Sequence, residues 1–111
     1  TEILYPPFYK SRDHDLWKEN FSGGGGSLMS IIIKNKNNSI ETLDKFIDSL
    51  SLFGIGASWG GYESLIMPIF PDRQTTKEWA KYSNSMVRIH IGLEDPVDLI
   101  EDLASSLDSL K

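Results

Sequence analysis

The stretch from Met86 to Leu107, "MVRIHIGLEDPVDLIEDLASSL", constrains the fold more than any other part of the chain. Val87, Ile89 and Ile91 alternate with Arg88, His90 and Gly92, which is the pattern of a strand with one face on a core. Asp95 then stands as an N-cap and Pro96 at the first helical position, where a missing N–H costs nothing. Val97, Ile100, Leu103, Ala104 and Leu107 follow at helical spacing and are expected to form the buried stripe of that helix. A half-buried strand that feeds an amphipathic helix requires a sheet for the helix to lie on. Strands and helices must therefore share one core.

The remaining elements follow from the same signals. "LYPPF" near the start favours extended or turned backbone, and Asp13 to Phe21 has room for one or two helical turns. Leu28 to Lys34 is β-branched and apolar and reads as a strand. Ser39 caps a helix whose Ile40, Leu43, Phe46, Ile47 and Leu50 share a face. Phe53 to Ser58 and Ser64 to Phe70 read as strands, with Pro68 marking an edge or bulge in the second. Thr75 to Tyr82 is a weaker helix, and Met86 to Leu93 is the fourth strand. The fold class expected is α+β, a mostly antiparallel four-stranded sheet with helices packed on one face. The same order fits a ferredoxin-like framework, which demands the strand arrangement 4-1-3-2.

With 111 residues the chain suits one domain, 1–111, of a size that buries roughly 65% of its unfolded surface. Sixteen acids against eleven bases leave a formal charge of −5, so no basic face for nucleic acid is expected. No apolar run approaches a membrane span. Cysteine is absent, which removes disulfides, thiolate metal sites and a cysteine nucleophile, and is compatible with a cytoplasmic location. The opening "TEILYPP" has no initiator methionine and reads as cut from something longer. "SGGGGS" at Ser22 to Ser27 looks like an engineered linker and raises the question of a seam.

Three places could carry chemistry. Gly56 to Leu65, "GASWGGYESL", offers open backbone N–H groups beside the Ser58 hydroxyl and the Trp59 indole; the plainer reading is a glycine turn with Trp59 packed in the core. Arg88 stands on the polar side of its strand, where a guanidinium can hold a carboxylate with two parallel hydrogen bonds; the plainer reading is a surface or ion-paired arginine. His90 is on the same face and could be an acid–base group, though a lone histidine is more often structural. His14 lies in a polar loop. No cluster has metal-ligand spacing, so no metal is expected. There is no nucleophile elbow and no phosphate loop.

The phrases themselves go further. "SLFGIGASWGGYESLI", Ser51 to Ile66, and "VRIHIGLEDPVDLIEDL", Val87 to Leu103, resemble the C-terminal domain of the trans-sulfuration enzymes, the pyridoxal-phosphate enzymes of cysteine and methionine metabolism. "LYPP" and "HDLWKENFSGGGG" are similar to the same family just upstream, where it carries a short Gly/Ser loop, so the glycine run is expected to be a native loop. The resemblance implies the small domain of a fold-type I enzyme. Its share of the chemistry is to hold the substrate α-carboxylate, through Arg88 with Ser58 and Trp59 of the loop. Tyr62 and Glu63 belong to the motif as structural residues. The Ser58–Trp59 pair leans toward the β-lyases, which split cystathionine into homocysteine, pyruvate and ammonia in methionine biosynthesis. The γ-lyases and γ-synthases are the alternatives, and beyond them a free-standing small-molecule-binding module on the ferredoxin-like framework. The resemblance places the cofactor lysine and phosphate cradle in a large N-terminal domain absent from this chain. None of the eight lysines sits in the family's cofactor-lysine motif. No catalytic or cofactor-binding residue is therefore expected here, no pyridoxal phosphate bound to this chain, and no lyase activity in it alone. The expected partners are the cystathionine substrate, the N-terminal domain and a homotetrameric full-length enzyme.

Overall fold

The computed structural model describes residues 1–34, 39–70 and 77–111. Among them the chain runs β1 (Glu2–Leu4), α1 (His14–Asn20), β2 (Leu28–Ile32), α2 (Ile40–Asp48), β3 (Gly54–Ile55), β4 (Leu65–Ile69), α3 (Lys77–Ala80), β5 (Met86–His90) and α4 (Pro96–Asp108). The first two residues of the weak helix expected from Thr75 lie outside the described residues.

The α+β class holds, but the sheet is five-stranded and mixed. Its order is β1-β2-β5-β4-β3. Three pairings are antiparallel, and β3 lies parallel to β4 with Gly54 opposite Leu65 and Ile55 opposite Ile66. The added strand is β1, three residues just before the proline pair, which pairs Ile3 with Ile31 along the edge of β2. The strand expected over Phe53 to Ser58 shrinks to two residues. Without β1, the four expected strands stand in the order 1-4-3-2, which rules out the ferredoxin-like arrangement 4-1-3-2.

Each element has a local cause. β5 is the centre of the sheet, paired along its whole length with β2 on one side and β4 on the other. Its alternation sorts Val87 and Ile89 into the core, at 0% and 1% exposure. Against them pack Ile31, Ile33, Ile66 and Phe53, with Leu43, Phe46 and Ile47 of α2 and Leu99 of α4. Pro68 is tolerated in β4 because it lies past the end of β3, where only β5 borders the strand. The two helices are pinned to each other and to the loop between them and the sheet. Lys45 donates to the Ser109 carbonyl at 2.8 Å, and the Asp102 carboxylate accepts from the Ser51 and Leu52 amides at 2.8–3.1 Å.

The cap of α4 forms as expected, with the Asp95 carboxylate accepting from Val97 N–H at 2.8 Å. Its buried stripe does not. Val97 and Ile100 are 60% and 64% exposed and Ala104 is exposed as well, while Leu99 and Ser106 are buried and Leu103, Leu107 and Leu110 pack partly on the core. The helix has apolar residues on two faces, and the Asp95 cap and the Asp102 clasp turn the Leu99 face inward.

The glycine run is a built loop of the domain. Gly23 and Gly24 take φ values of +129° and +72°, a region that side chains with a Cβ rarely visit. The Tyr5 hydroxyl then donates to the Gly26 carbonyl at 2.9 Å, fastening the run to the N-terminal segment. An open apolar groove of about 900 Å³ lies here, lined by Pro6, Pro7, Leu16, Trp17 and Phe21 with the glycines. His14 begins α1, donates from Nδ1 to the Pro6 carbonyl at 2.9 Å and stacks on Trp17. Among the described residues no helix is long and apolar enough to cross a membrane, and no group of three or more His, Cys, Asp or Glu could hold a metal ion.

Candidate functional site

The parallel pairing of β3 and β4 dictates where the site is. The chain leaves β3 at Ile55 and must return to Leu65, beside Gly54, before it can run in the same direction again. Parallel neighbours usually need a longer crossover; here only two residues pair, so the loop 56–64 suffices. Leu65 also pairs with His90, which puts the loop at the C-terminal end of β5.

The polar side of β5 and its continuation hold that loop at every second residue. Arg88 Nη2 donates to the Ala57 carbonyl and to the Ser58 carbonyl, the latter at 3.4 Å. His90 contacts Gly60 and Gly61. Gly92 N–H donates to Ser64 Oγ at 2.8 Å, Leu93 N–H to the Tyr62 carbonyl at 2.8 Å. The Glu94 carboxylate accepts from Ser64 N–H and Ser64 Oγ, both at 2.7 Å. These two Ser64 hydrogen bonds hold the Glu94 carboxyl below the usual carboxylate range. Gly92 is required by crowding. A Cβ there would stand 2.2 Å from the Tyr62 carbonyl oxygen and 2.6 Å from the Glu63 carbonyl carbon.

Arg88 therefore meets the backbone of Ser58, 30 residues away in sequence, and Trp59 is the next residue of that loop. Arg88 pairs with no carboxylate among the described residues, and its guanidinium retains N–H groups beyond the Nη2 contacts. The Ser58 hydroxyl makes no hydrogen bond among the described residues. Trp59 is 64% exposed, which corrects the reading that packs it in the core. Tyr62 is 71% exposed; it serves the loop through its carbonyl, not its ring. The residues that sequence reasoning missed are Ser64 and Glu94. Their only signal was position, with Glu94 two residues past Gly92 on the spacing of Arg88, His90 and Gly92.

A guanidinium with N–H groups to spare, set on a loop backbone, can receive a carboxylate with two parallel hydrogen bonds. Four of the eight lysines are engaged elsewhere in the domain. Lys45 and Lys111 are bonded to Ser109 and Asp108, and Lys10 and Lys81 lie over the rings of Tyr9 and Tyr82. None of these four amines faces the loop.

Comparison with known proteins agrees with the phrases in the sequence. The family model for the Cys/Met metabolism PLP-dependent enzymes matches residues 1–108. An L-alanine/L-glutamate racemase from Wolbachia pipientis wMel is 42% identical over 109 residues, which is 96% of this chain and 26% of the racemase. Cystathionine beta-lyase MetC of Escherichia coli K12 is 41% identical over 106 residues, 93% of this chain and 26% of the lyase. A Campylobacter jejuni protein whose structure holds N'-pyridoxyl-lysine-5'-monophosphate superposes with a TM-score of 0.77 at 27% identity, over 97% of this chain and 23% of that one. The chain thus spans about a quarter of the length of these relatives. On the match over almost its whole length, it belongs to the Cys/Met metabolism PLP-dependent enzyme family.

Proposed function

We propose that this chain is the carboxylate-gripping C-terminal part of a pyridoxal-phosphate-dependent carbon–sulfur β-lyase. The full-length enzyme would convert cystathionine to homocysteine, pyruvate and ammonia. Another polypeptide segment, equivalent to the remaining three quarters of the relatives, supplies the cofactor and its lysine, and the whole assembles as a homotetramer. The observation that carries the reading is the approach of Arg88 to Ala57 and Ser58 beside exposed Trp59. The Ala57 and Ser58 carbonyls fix one nitrogen of the guanidinium. Its other N–H groups are then aimed without a further loss of rotamer freedom, and two of them can take the two oxygens of an α-carboxylate. The Ser58 hydroxyl offers a third donor. When bound, the cofactor supplies an electron sink at the α-carbon. This domain's part is to fix which bond of that carbon faces it, which turns orientation into rate.

The 42% identity with a racemase favours a second reading. An amino-acid racemase also needs the α-carboxylate held, so the same grip would serve it. Products separate the two. A family-length protein carrying these residues is expected to release pyruvate from L-cystathionine, whereas interconversion of L- and D-alanine without pyruvate would favour the racemase. 2-Oxobutyrate in place of pyruvate would indicate γ-elimination. In the same protein Arg88→Lys is expected to lower kcat/KM by about a hundredfold, as breaking a desolvated charge-assisted pair costs roughly 3 kcal/mol. An unchanged kcat/KM would remove Arg88 from the site.

A further inference from the structure

His90 is 2% exposed and its hydrogen bonds do not go to its own strand neighbours. Nε2 lies 3.1 Å from the Gly61 carbonyl. Nδ1 lies 2.9 Å from Ser27 Oγ and receives a longer contact, 3.4 Å, from Gly60 N–H. These partners fix the tautomer. A carbonyl only accepts, so Nε2 carries the hydrogen. The Gly60 amide only donates, so Nδ1 is bare, and the Ser27 hydroxyl turns to donate to it. One neutral imidazole satisfies all three contacts at once.

The partners also bracket the proposed carboxylate site. Gly60 and Gly61 follow Ser58 and Trp59 directly, and Ser27 closes the glycine run. Its own carbonyl accepts from Ile91 N–H at 2.9 Å. Arg88 fixes only the near end of the loop, at Ala57 and Ser58. Ser64 and Glu94 fix only the far end. Between them, His90 is the side chain that reaches the backbone just past Trp59.

We propose that His90 is a positioning residue, which holds the Gly60–Gly61 backbone and so sets Ser58 and Trp59 for the substrate carboxylate. It touches no substrate and transfers no proton. The assignment rests on the carboxylate-binding reading of Arg88, Ser58 and Trp59, and the two can fail separately. A leucine would fill the same buried space and leave the sheet intact, but it would release the loop.

The test uses the ¹⁵N-labelled chain. Imidazole ¹⁵N correlations should show the neutral Nε2–H form for His90; the Nδ1–H form would overturn the proposal, and this readout needs no variant. In His90→Leu the Gly60 and Gly61 amides should exchange with solvent about tenfold faster. His90→Asn keeps an acceptor near the Nδ1 position and should recover Gly60 protection. His90→Gln keeps a donor near Nε2 and should not. Equal exchange in all three variants would overturn the assignment. L-cystathionine is then titrated while the Ser58 and Trp59 amides are followed. Half-saturation is expected at several-fold higher concentration in His90→Leu, with recovery in His90→Asn. Unchanged binding despite a loosened loop would reduce His90 to a structural role and overturn the proposal. No response in the unsubstituted chain, repeated in a family-length protein carrying these residues, would overturn the carboxylate reading, and with it the functional half of this one, whatever the exchange data show.

Discussion

Two loops of this chain are rich in glycine, and they are held in opposite ways. Among the described residues the run at Gly23 to Gly26 is held only toward its far end, where the Tyr5 hydroxyl bonds the Gly26 carbonyl and Tyr5 and Pro7 crowd Gly25. Around Gly23, Gly24 and Gly26 there is open space. The loop 56–64 is gripped along its length by Arg88, His90, Gly92, Leu93 and Glu94. Composition would rank the first loop as the more important, since it has four consecutive glycines. Anchoring ranks the second, because side chains carried on a loop are fixed only where that loop is tied to a rigid element.

Substitutions at the two loops separate these two kinds of anchoring. The largest effect is expected from Gly92→Ala, where the new Cβ meets backbone atoms at 2.2 and 2.6 Å that cannot swing away. A loss of about 3 kcal/mol is expected in urea unfolding; a change below about 0.5 kcal/mol would mean the loop yields easily and is not clasped. Glu94→Gln comes next, and its signature is pH. The Ser64 bonds depress the folded-state value of Glu94, so its stabilisation is complete above the ordinary carboxylate range and is lost as pH falls through the depressed value. The melting temperature of the unsubstituted chain should exceed that of Glu94→Gln at neutral pH, and the gap should close in acid. A gap that widened in acid would contradict the clasp. Tyr5→Phe is expected to do least, about 0.5–1 kcal/mol for one exposed hydrogen bond, with no change in the amide spectrum of residues 56–64. A spreading of shifts into that loop would show that the two loops are coupled after all.

Much of this was legible in the sequence, where a local rule acts alone. Alternation identified β5, and Asp95–Pro96 identified the start of α4. Elsewhere two rules competed. β1 has three residues and abuts a proline pair, so turn chemistry masked it. α4 carries apolar residues on two faces, and periodicity cannot say which turns inward; Asp102, bonded to the Ser51 and Leu52 amides, contributes to that choice. Arg88, Ser58 and Trp59 came from resemblance; the structure sets Arg88 on the Ser58 carbonyl and leaves the next residue, Trp59, exposed. His90 was visible as a residue but not in its role, because its loop partners stand about thirty positions away in sequence. The parallel pairing of β3 and β4, which throws the loop to that end of β5, rests on two residues and leaves no pattern to read.

The mid-sheet position of β5 has a consequence for how such a domain can diverge. One strand supplies the core through its odd residues and the loop clasp through its even ones, so nearly any change there alters both. The tips of the loop are different. The side chains of Trp59 and Tyr62 stand largely in solvent and support neither layer. Selection can therefore vary those two positions with little epistasis against the fold, while the strand beneath them stays constrained.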